Sequence, residues 1–235
     1  MKILAVLAHP DDEAFGPAGT LSRYSLTGHE VRLATMTQGE AGTLGPAREL
    51  TPPELARIRS DELRRSVEAL HLTGLNIYTL PDGKLAELPA EQGIGIICQE
   101  IEMFSPDALL TFHPGGISGH PDHQTVARWC LSALSESSRP LRLFAYGVSA
   151  GQARRVTHRK LAPIPDEELT HVLDVSSYLE FKFAAIRCHQ SQAQAWERMK
   201  NIEGGIESYL RNEHFSLIWP ASKQPARTRS TRLED

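Results

Sequence analysis

Short apolar runs alternate with longer amphipathic stretches along this chain. Residues 3–8 (ILAVLA) are an unbroken apolar run, the mark of a strand buried on both faces. Residues 31–37, 75–80 and 107–112 predict three more strands, and 141–146 and 171–175 a further two. Between them the helical period predicts helices over 17–27, 53–71, 90–104, 121–136 and 177–189. This alternation implies βαβ units. The expected fold class is α/β: a doubly wound, mostly parallel sheet, helices on both faces and right-handed crossovers. Two helix starts carry capping boxes, Thr51-Pro52-Pro53-Glu54 and Ser177-Tyr178-Leu179-Glu180.

The helix over 53–71 contains an anomaly. Leu55, Ile58, Leu63, Val67 and Leu70 fill one arc, and Arg59, Glu62 and Ser66 fall inside it. Charges on a core-facing stripe are costly unless paired or turned toward a wet pocket. Three readings follow: an Arg59–Glu62 ion pair, an Arg59 that reaches a polar substrate site at the sheet's C-terminal edge, or a broken or misassigned helix.

The chain has 235 residues, 40% of them apolar and 23% charged, enough for a folded core. Residues 1–219 read as one domain. Residues 220–235, with Lys223, Arg227, Arg229 and Arg232, read as a flexible tail. A formal charge of -4 argues against nucleic acid and against anionic membrane surfaces as partners. Cys98, Cys130 and Cys188 are too few and too scattered for a disulfide framework or a thiolate zinc site, which points to a reduced, cytoplasmic setting. The run at 3–8 is shorter than a secretory core of about 7–15 residues, and no run approaches the ~18 residues of a membrane span.

Two clusters carry the chemistry. His9-Pro10-Asp11-Asp12-Glu13 directly follows the first strand, at the sheet edge where open α/β folds build their sites. Its three adjacent carboxylates repel one another unless a cation sits among them. Gly115-Gly116-Ile117-Ser118-Gly119-His120-Pro121-Asp122-His123 follows the fourth strand. First and fourth strands of this kind neighbour each other at the topological switch point, so the clusters should face one another. Two histidines and a carboxylate suit a catalytic zinc with an open position. His9, Asp12 and His123 are the expected ligands; spacing alone does not separate His123 from His120, but His123 lies on an inward stripe with Ala127, Cys130 and Leu134. His29, His71, His158, His171 and His214 read as surface or satisfied core histidines, and His113 is left open.

Ala8-His9-Pro10-Asp11-Asp12-Glu13 with Gly119-His120-Pro121-Asp122-His123 resembles the LmbE-like, or PIG-L, family of metal-dependent N-deacetylases. Thr37-Gln38-Gly39-Glu40-Ala41-Gly42, Arg59-x-x-Glu62, Leu80-Pro81-Asp82-Gly83 and His189-x-Ser191-Gln192 extend the likeness over roughly residues 1–195. The resemblance implies a Rossmann-like fold and hydrolysis of an N-acyl amide on an amino sugar or glycoconjugate. It implies zinc, or another divalent cation such as Fe2+, held by His9, Asp12 and His123. Asp11 would then be the general base, His120 an oxyanion donor, Asp122 the group that orients His120 and raises its pKa, and Arg59 a substrate contact. The mycothiol branch has a tyrosine just before the Gly-His-Pro-Asp-His core; here the neighbourhood is Gly-Ile-Ser-Gly, which disfavours that branch. Glu40 and His189 have no assigned role.

The expected partner is a small amino-sugar molecule, with a homo-oligomer left open. Alternatives are an amidase for thiol-sugar conjugates and a non-catalytic sugar- or nucleotide-binding module. A two-histidine, one-carboxylate set also describes non-haem Fe(II) oxygenases, but the spare Asp11 favours hydrolysis, which needs a base beside the metal. A two-metal phosphoesterase would need more ligands than the two clusters supply.

Overall fold

The computed structural model describes residues 1–42, 50–137, 139–200, 202–220 and 229–234. Among them seven strands form one sheet: β1 (Lys2–Leu7), β2 (Glu30–Thr35), β3 (Gly74–Ile77), β4 (Ala108–Phe112), β5 (Arg142–Gly147), β6 (His171–Asp174) and β7 (Asn212–Trp219). The described helices are α1 (Asp12–Phe15), α2 (Ala18–Leu26), α3 (Pro52–Ala69), α4 (Ala90–Phe104), α5 (Gly116–Gly119), α6 (Pro121–Glu136), α7 (Ala150–Arg155), α8 (Leu179–Cys188), α9 (Ala193–Met199) and α10 (Ile206–Leu210). None is long and apolar enough to cross a membrane.

The strand order is β3-β2-β1-β4-β5-β7-β6. β1 to β5 run parallel, and β7 is antiparallel to both β5 and β6. The expected α/β, mostly parallel sheet is therefore the observed one. The order reverses between β1 and β4, which pair directly through Ile3–Ala108, Leu4–Leu109 and Ala5–Leu110. These strands are mostly apolar because helices cover both faces; Leu4, Val6, Ala108 and Leu110 are fully buried, and the buried Thr111 donates its hydroxyl to the Val6 carbonyl. The chain segments leaving β1 and β4 at their C-terminal ends thus start side by side.

Helix starts follow local chemistry. Thr51 N–H and Oγ1–H both donate to Glu54 Oε2, at 2.9 and 2.6 Å, and Pro52 opens α3. The second expected capping box does not form. A short 3-10 turn over Ser176–Tyr178 precedes α8, and the Asp174 carboxylate accepts from the Ser176 N–H (2.8 Å) and hydroxyl instead. His120 is the N-cap of α6 and Pro121 its first residue.

Two further expectations need correction. β7 is absent from the sequence reading because it begins Asn-Glu-His and its apolar signal comes late, yet Glu213 and His214 are buried in it. The tail expected to be flexible from Pro220 is docked over residues 229–234: Leu233 is fully buried, its N–H donates to Tyr24 Oη (2.7 Å), Tyr24 donates to Glu234 (2.7 Å), and Ser230 bridges His171. Residues 221–228 of that tail lie outside the described residues.

Glu213 is paid attention by three donors. Lys182 Nζ lies 2.6 Å from its Oε1, and the Gly19 and Thr20 N–H groups at the start of α2 donate to it at 2.9 and 2.8 Å. Lys182 also donates to the Gly16 carbonyl (2.6 Å), tying down the end of the loop that leaves β1. Both charges are buried. Removing one partner strands the other, so Lys182→Met is expected to lower stability by about 3–5 kcal/mol, read from the urea midpoint.

His214 supplies a pH test. Burial, helped by the nearby Arg229 guanidinium, lowers its pKa to about 4. Its protonation therefore favours the unfolded chain, where it titrates near 6.5. The native state should lose stability, relative to a His214→Leu variant, as pH falls from about 6.5 toward about 4. Denaturant titrations of both proteins across that range check it; a constant difference would contradict the assignment.

Candidate metal centre and cavity

His9 and Asp12 stand on the loop and helical turn after β1, and His123 on the first turn of α6 after β4. The strand pairing brings them together. His123 Nε2 lies 3.1 Å from Asp12 Oδ1 and 3.3 Å from His9 Nδ1. His9 Nδ1 lies 3.4 Å from Asp12 Oδ2, which also accepts the His9 N–H at 2.7 Å. One ligand atom from each of the three residues fits within 4.8 Å of the others. His9, His120 and Asp122 form a second such group, and it shares His9 with the first.

The outer ring nitrogens decide what the inner ones can do. His9 Nε2 is 3.0 Å from Asp122 Oδ2 and 3.1 Å from Asp82 Oδ1, so it carries the proton. His123 Nδ1 donates to the Gly116 carbonyl at 3.2 Å, since a carbonyl only accepts. In the neutral rings, His9 Nδ1 and His123 Nε2 then present lone pairs to each other and to the Asp12 carboxylate. Three electron-rich groups pointing at one spot need a cation there. The donor set fits a divalent metal ion of the zinc type. Without one, burial disfavours charge on His9, but the Asp12, Asp122 and Asp82 carboxylates outweigh it and raise its pKa well above the ordinary value.

Asp122 does not orient His120 with its carboxylate. Fully buried, that carboxylate accepts from His9 and from the Gly83 and Leu85 N–H groups at 2.8 and 3.0 Å. Its backbone N–H donates to His120 Nδ1 (3.2 Å), which leaves the His120 proton on Nε2. The His120 pKa is lowered, not raised as expected: burial first, then His123 and His9, outweigh the pull of Asp122. His120 is half-buried and its ring lies 4.9 Å from that of His9.

Asp11 adjoins the cluster without joining it. Its backbone φ of 117° is a left-handed conformation that a residue with a side chain adopts at a cost of about 1–3 kcal/mol. Arg59 holds it there, with Nη2 3.2 Å from Asp11 Oδ2, on the Pro10 carbonyl, and Nη1 2.9 Å from the Gly39 carbonyl. Burial pushes the Asp11 carboxyl up to about 6, against the pull of Arg59. Arg59 is buried and absent from the cavity wall. It is not the partner of Glu62; both of its terminal nitrogens are engaged within the protein. A Cβ at Gly39 or Gly42 would come within 2.5 or 2.4 Å of that guanidinium, which accounts for the glycines of the Thr37–Gly42 motif.

The other two polar residues of the α3 stripe brace the loop from behind. Glu62 accepts from the Ser191 N–H and hydroxyl at 2.8 and 2.6 Å. Ser66 donates to Glu13 Oε1 (2.5 Å), which also meets His189 Nε2 at 2.6 Å. Burial opposes charge on both, but each holds the other ionised: Glu13 is lowered and His189 raised. Glu40 accepts from the Asp82 N–H (2.8 Å), so it steadies the second carboxylate on His9. His113 pairs with Glu168 at 2.9 Å, away from the cluster. Asp82 is the residue sequence reasoning passed over; its only signal was membership of Leu80-Pro81-Asp82-Gly83.

A cavity of about 200 Å³ opens beside the cluster and takes in Asp11, Asp12 and His123. Phe112, stacked on the His123 ring at 4.0 Å, forms part of its floor. Its far wall comes from Tyr146, Val148, Val156, Leu161, Met199, Ile202 and Tyr209, with the exposed His158 at the surface beside them.

The chain belongs to the PIG-L family, described as GlcNAc-PI de-N-acetylase, which matches residues 4–134; this is a family of hydrolases acting on amide bonds. It is 30% identical to a 1D-myo-inositol 2-acetamido-2-deoxy-alpha-D-glucopyranoside deacetylase of Saccharomonospora viridis, over 96% of this chain and 98% of that protein. Its fold is similar to N,N'-diacetylchitobiose deacetylase from Pyrococcus horikoshii, at TM-score 0.68 and 22% identity over 92% of this chain and 83% of that one. It is also similar to a 4-carboxy-2-hydroxymuconate hydratase from Pseudomonas putida, at TM-score 0.72 and 17% identity over 95% and 98%.

Carboxylates on the far nitrogen of a ligating histidine typically account for about 10–100-fold in metal affinity. Asp122→Asn is expected to weaken divalent-ion binding by that order in a competition titration against a chelator.

Proposed function

We propose that the protein is a metal-dependent N-deacetylase that hydrolyses an N-acyl amide, N-acetyl in the first instance, on an amino sugar or glycoconjugate. The observation that carries this reading is the pairing of the lone-pair cluster with a separate carboxyl, Asp11, in the same cavity. The deacetylase names of relatives aligned over nearly the whole chain support it. The fold alone is neutral, because a hydratase shares it.

His9, Asp12 and His123 would hold the cation, for which zinc is our choice. When bound, such an ion polarises a carbonyl and acidifies water from a pKa of 15.7 to about 7. The chain's own residues do the rest. Asp11, fixed by Arg59, takes a proton from the attacking water as the C–O bond forms. It returns that proton to the amide nitrogen as the C–N bond breaks, leaving a free amine and a carboxylic acid, which then loses its proton to solvent. A carboxyl near pKa 6 can do both. His120 donates through Nε2–H to the oxygen that becomes negative, and does so as a neutral imidazole. Asp122 and Asp82 keep the His9 lone pair turned inward. The substrate is a small amino-sugar compound, and a cytoplasmic location is supported by three free cysteines.

Acetate release from N-acetylglucosamine derivatives by the zinc-loaded protein tests the activity. Asp11→Asn should retain the metal and lose about 10²–10⁴-fold in turnover, whereas His123→Ala should lose the metal. Metal analysis beside initial rates reads both, and an Asp11→Asn variant of normal activity would remove Asp11 from the mechanism.

A further inference from the structure

Asp11 is the N-cap of α1, yet its carboxylate makes no cap hydrogen bond to that helix and lies in the cavity wall instead. Its pose depends on the peptide plane that joins it to Pro10. In a trans peptide the carbonyl and the N–H point opposite ways. Here each end is held by a buried charge. Arg59 Nη2 donates to the Pro10 carbonyl, and the Asp11 N–H donates to Glu13 Oε2 at 3.0 Å. Glu13 is in turn fixed through its other oxygen by the Ser66 hydroxyl and by His189 Nε2, at 2.5 and 2.6 Å. Arg59, Glu13 and His189 are all buried.

Turning that one plane by half a circle would carry the Asp11 φ from 117° to about −60°, an ordinary helical value. The left-handed strain would vanish. The turn would also aim the Pro10 carbonyl at the Glu13 carboxylate and the Asp11 N–H at the Arg59 guanidinium, so that like would face like at both ends. The two charges therefore select the strained form over the relaxed one. Strain at Asp11, a buried ion pair and a sealed His189 Nδ1 without a hydrogen-bond partner among the described residues all cost stability, and all serve this one peptide.

We infer that Glu13 is a positioning residue for Asp11: together with Arg59 it clamps the Pro10–Asp11 peptide and so sets the line of the Asp11 carboxyl beside the metal cluster. Release of the plane tilts the Asp11 side chain, and a misplacement of about 1 Å costs on the order of 10²-fold in rate. This inference rests on Asp11 as the general base of the N-deacetylase reading, but half of its test needs no turnover.

Glu13→Met keeps the length of the side chain and removes the acceptor. Glu13→Met/His189→Leu also removes the charge left stranded, so it serves if the single variant fails to fold. In a crystal structure of the zinc-loaded double variant the Asp11 φ should be negative, with its N–H turned away from residue 13. An Asp11 φ still near 117° would overturn the clamp. On N-acetylglucosamine derivatives, kcat should fall about 10²-fold, with KM and zinc affinity each within about 2-fold of the parent. In an Asp11→Asn background the same change should cost less than about 3-fold more, because a residue acting through Asp11 has nothing left to position. A full further loss of about 10²-fold there, or a shift in KM or zinc affinity in place of kcat, would mark a general structural role and sink the inference. Normal activity in Asp11→Asn beside a turned peptide in the double variant would support the clamp and fail only the general-base reading.

Discussion

Everything at this site depends on electron pairs forced to face one another. His9 Nδ1, His123 Nε2 and the Asp12 carboxylate are set within hydrogen-bond range, while their outward protons are already committed to Asp122, Asp82 and the Gly116 carbonyl. No neutral arrangement of these groups is comfortable. The fold creates the conflict by pairing β1 with β4, so that two loops distant in sequence emerge as neighbours. A cation resolves it, which makes the sheet's topology and the site's chemistry one constraint.

The supporting structure is devoted to keeping that conflict from relaxing. Arg59 lies under the loop as an internal strut, spanning Pro10, Asp11 and Gly39. Glu13, Ser66 and His189 form a buried chain behind it, and Lys182 fixes the Gly16 carbonyl further on. These contacts offset the backbone strain at Asp11. They also explain why α3 carries charge on its buried face: that face packs against polar loops, where a strictly apolar stripe would leave carbonyls and carboxylates without partners.

Much of this was legible in the sequence, for identifiable reasons. Strands β1 and β4 are buried on both faces, so their runs are almost wholly apolar, and α4 and α6 appear with the bounds their periodicity predicts. The two His/Asp clusters announce themselves because such density of charge at strand ends has few other uses. β7 was hidden because its buried positions include Glu213 and His214, whose burial rests on partners that no local pattern reveals. Arg59 was flagged as anomalous, yet its target could not be read, since the carbonyls it binds are backbone and leave no trace in composition. The role of Asp122 differs for a similar reason: the resemblance implied His120 as its partner, and the carboxylate reaches across the crevice to His9.

The cation cluster and the chamber beside it have separate origins along the polypeptide. Every group of the candidate metal cluster lies before residue 124, inside the stretch the family shares, whereas the outer wall draws on residues from Tyr146 to Tyr209. One half is locked by mutual electrostatic dependence, in which altering any member strands the others. The other is held by packing, which tolerates exchange of one side chain for another of like volume. A lineage can therefore redraw what enters the chamber while the reaction beneath it stays the same.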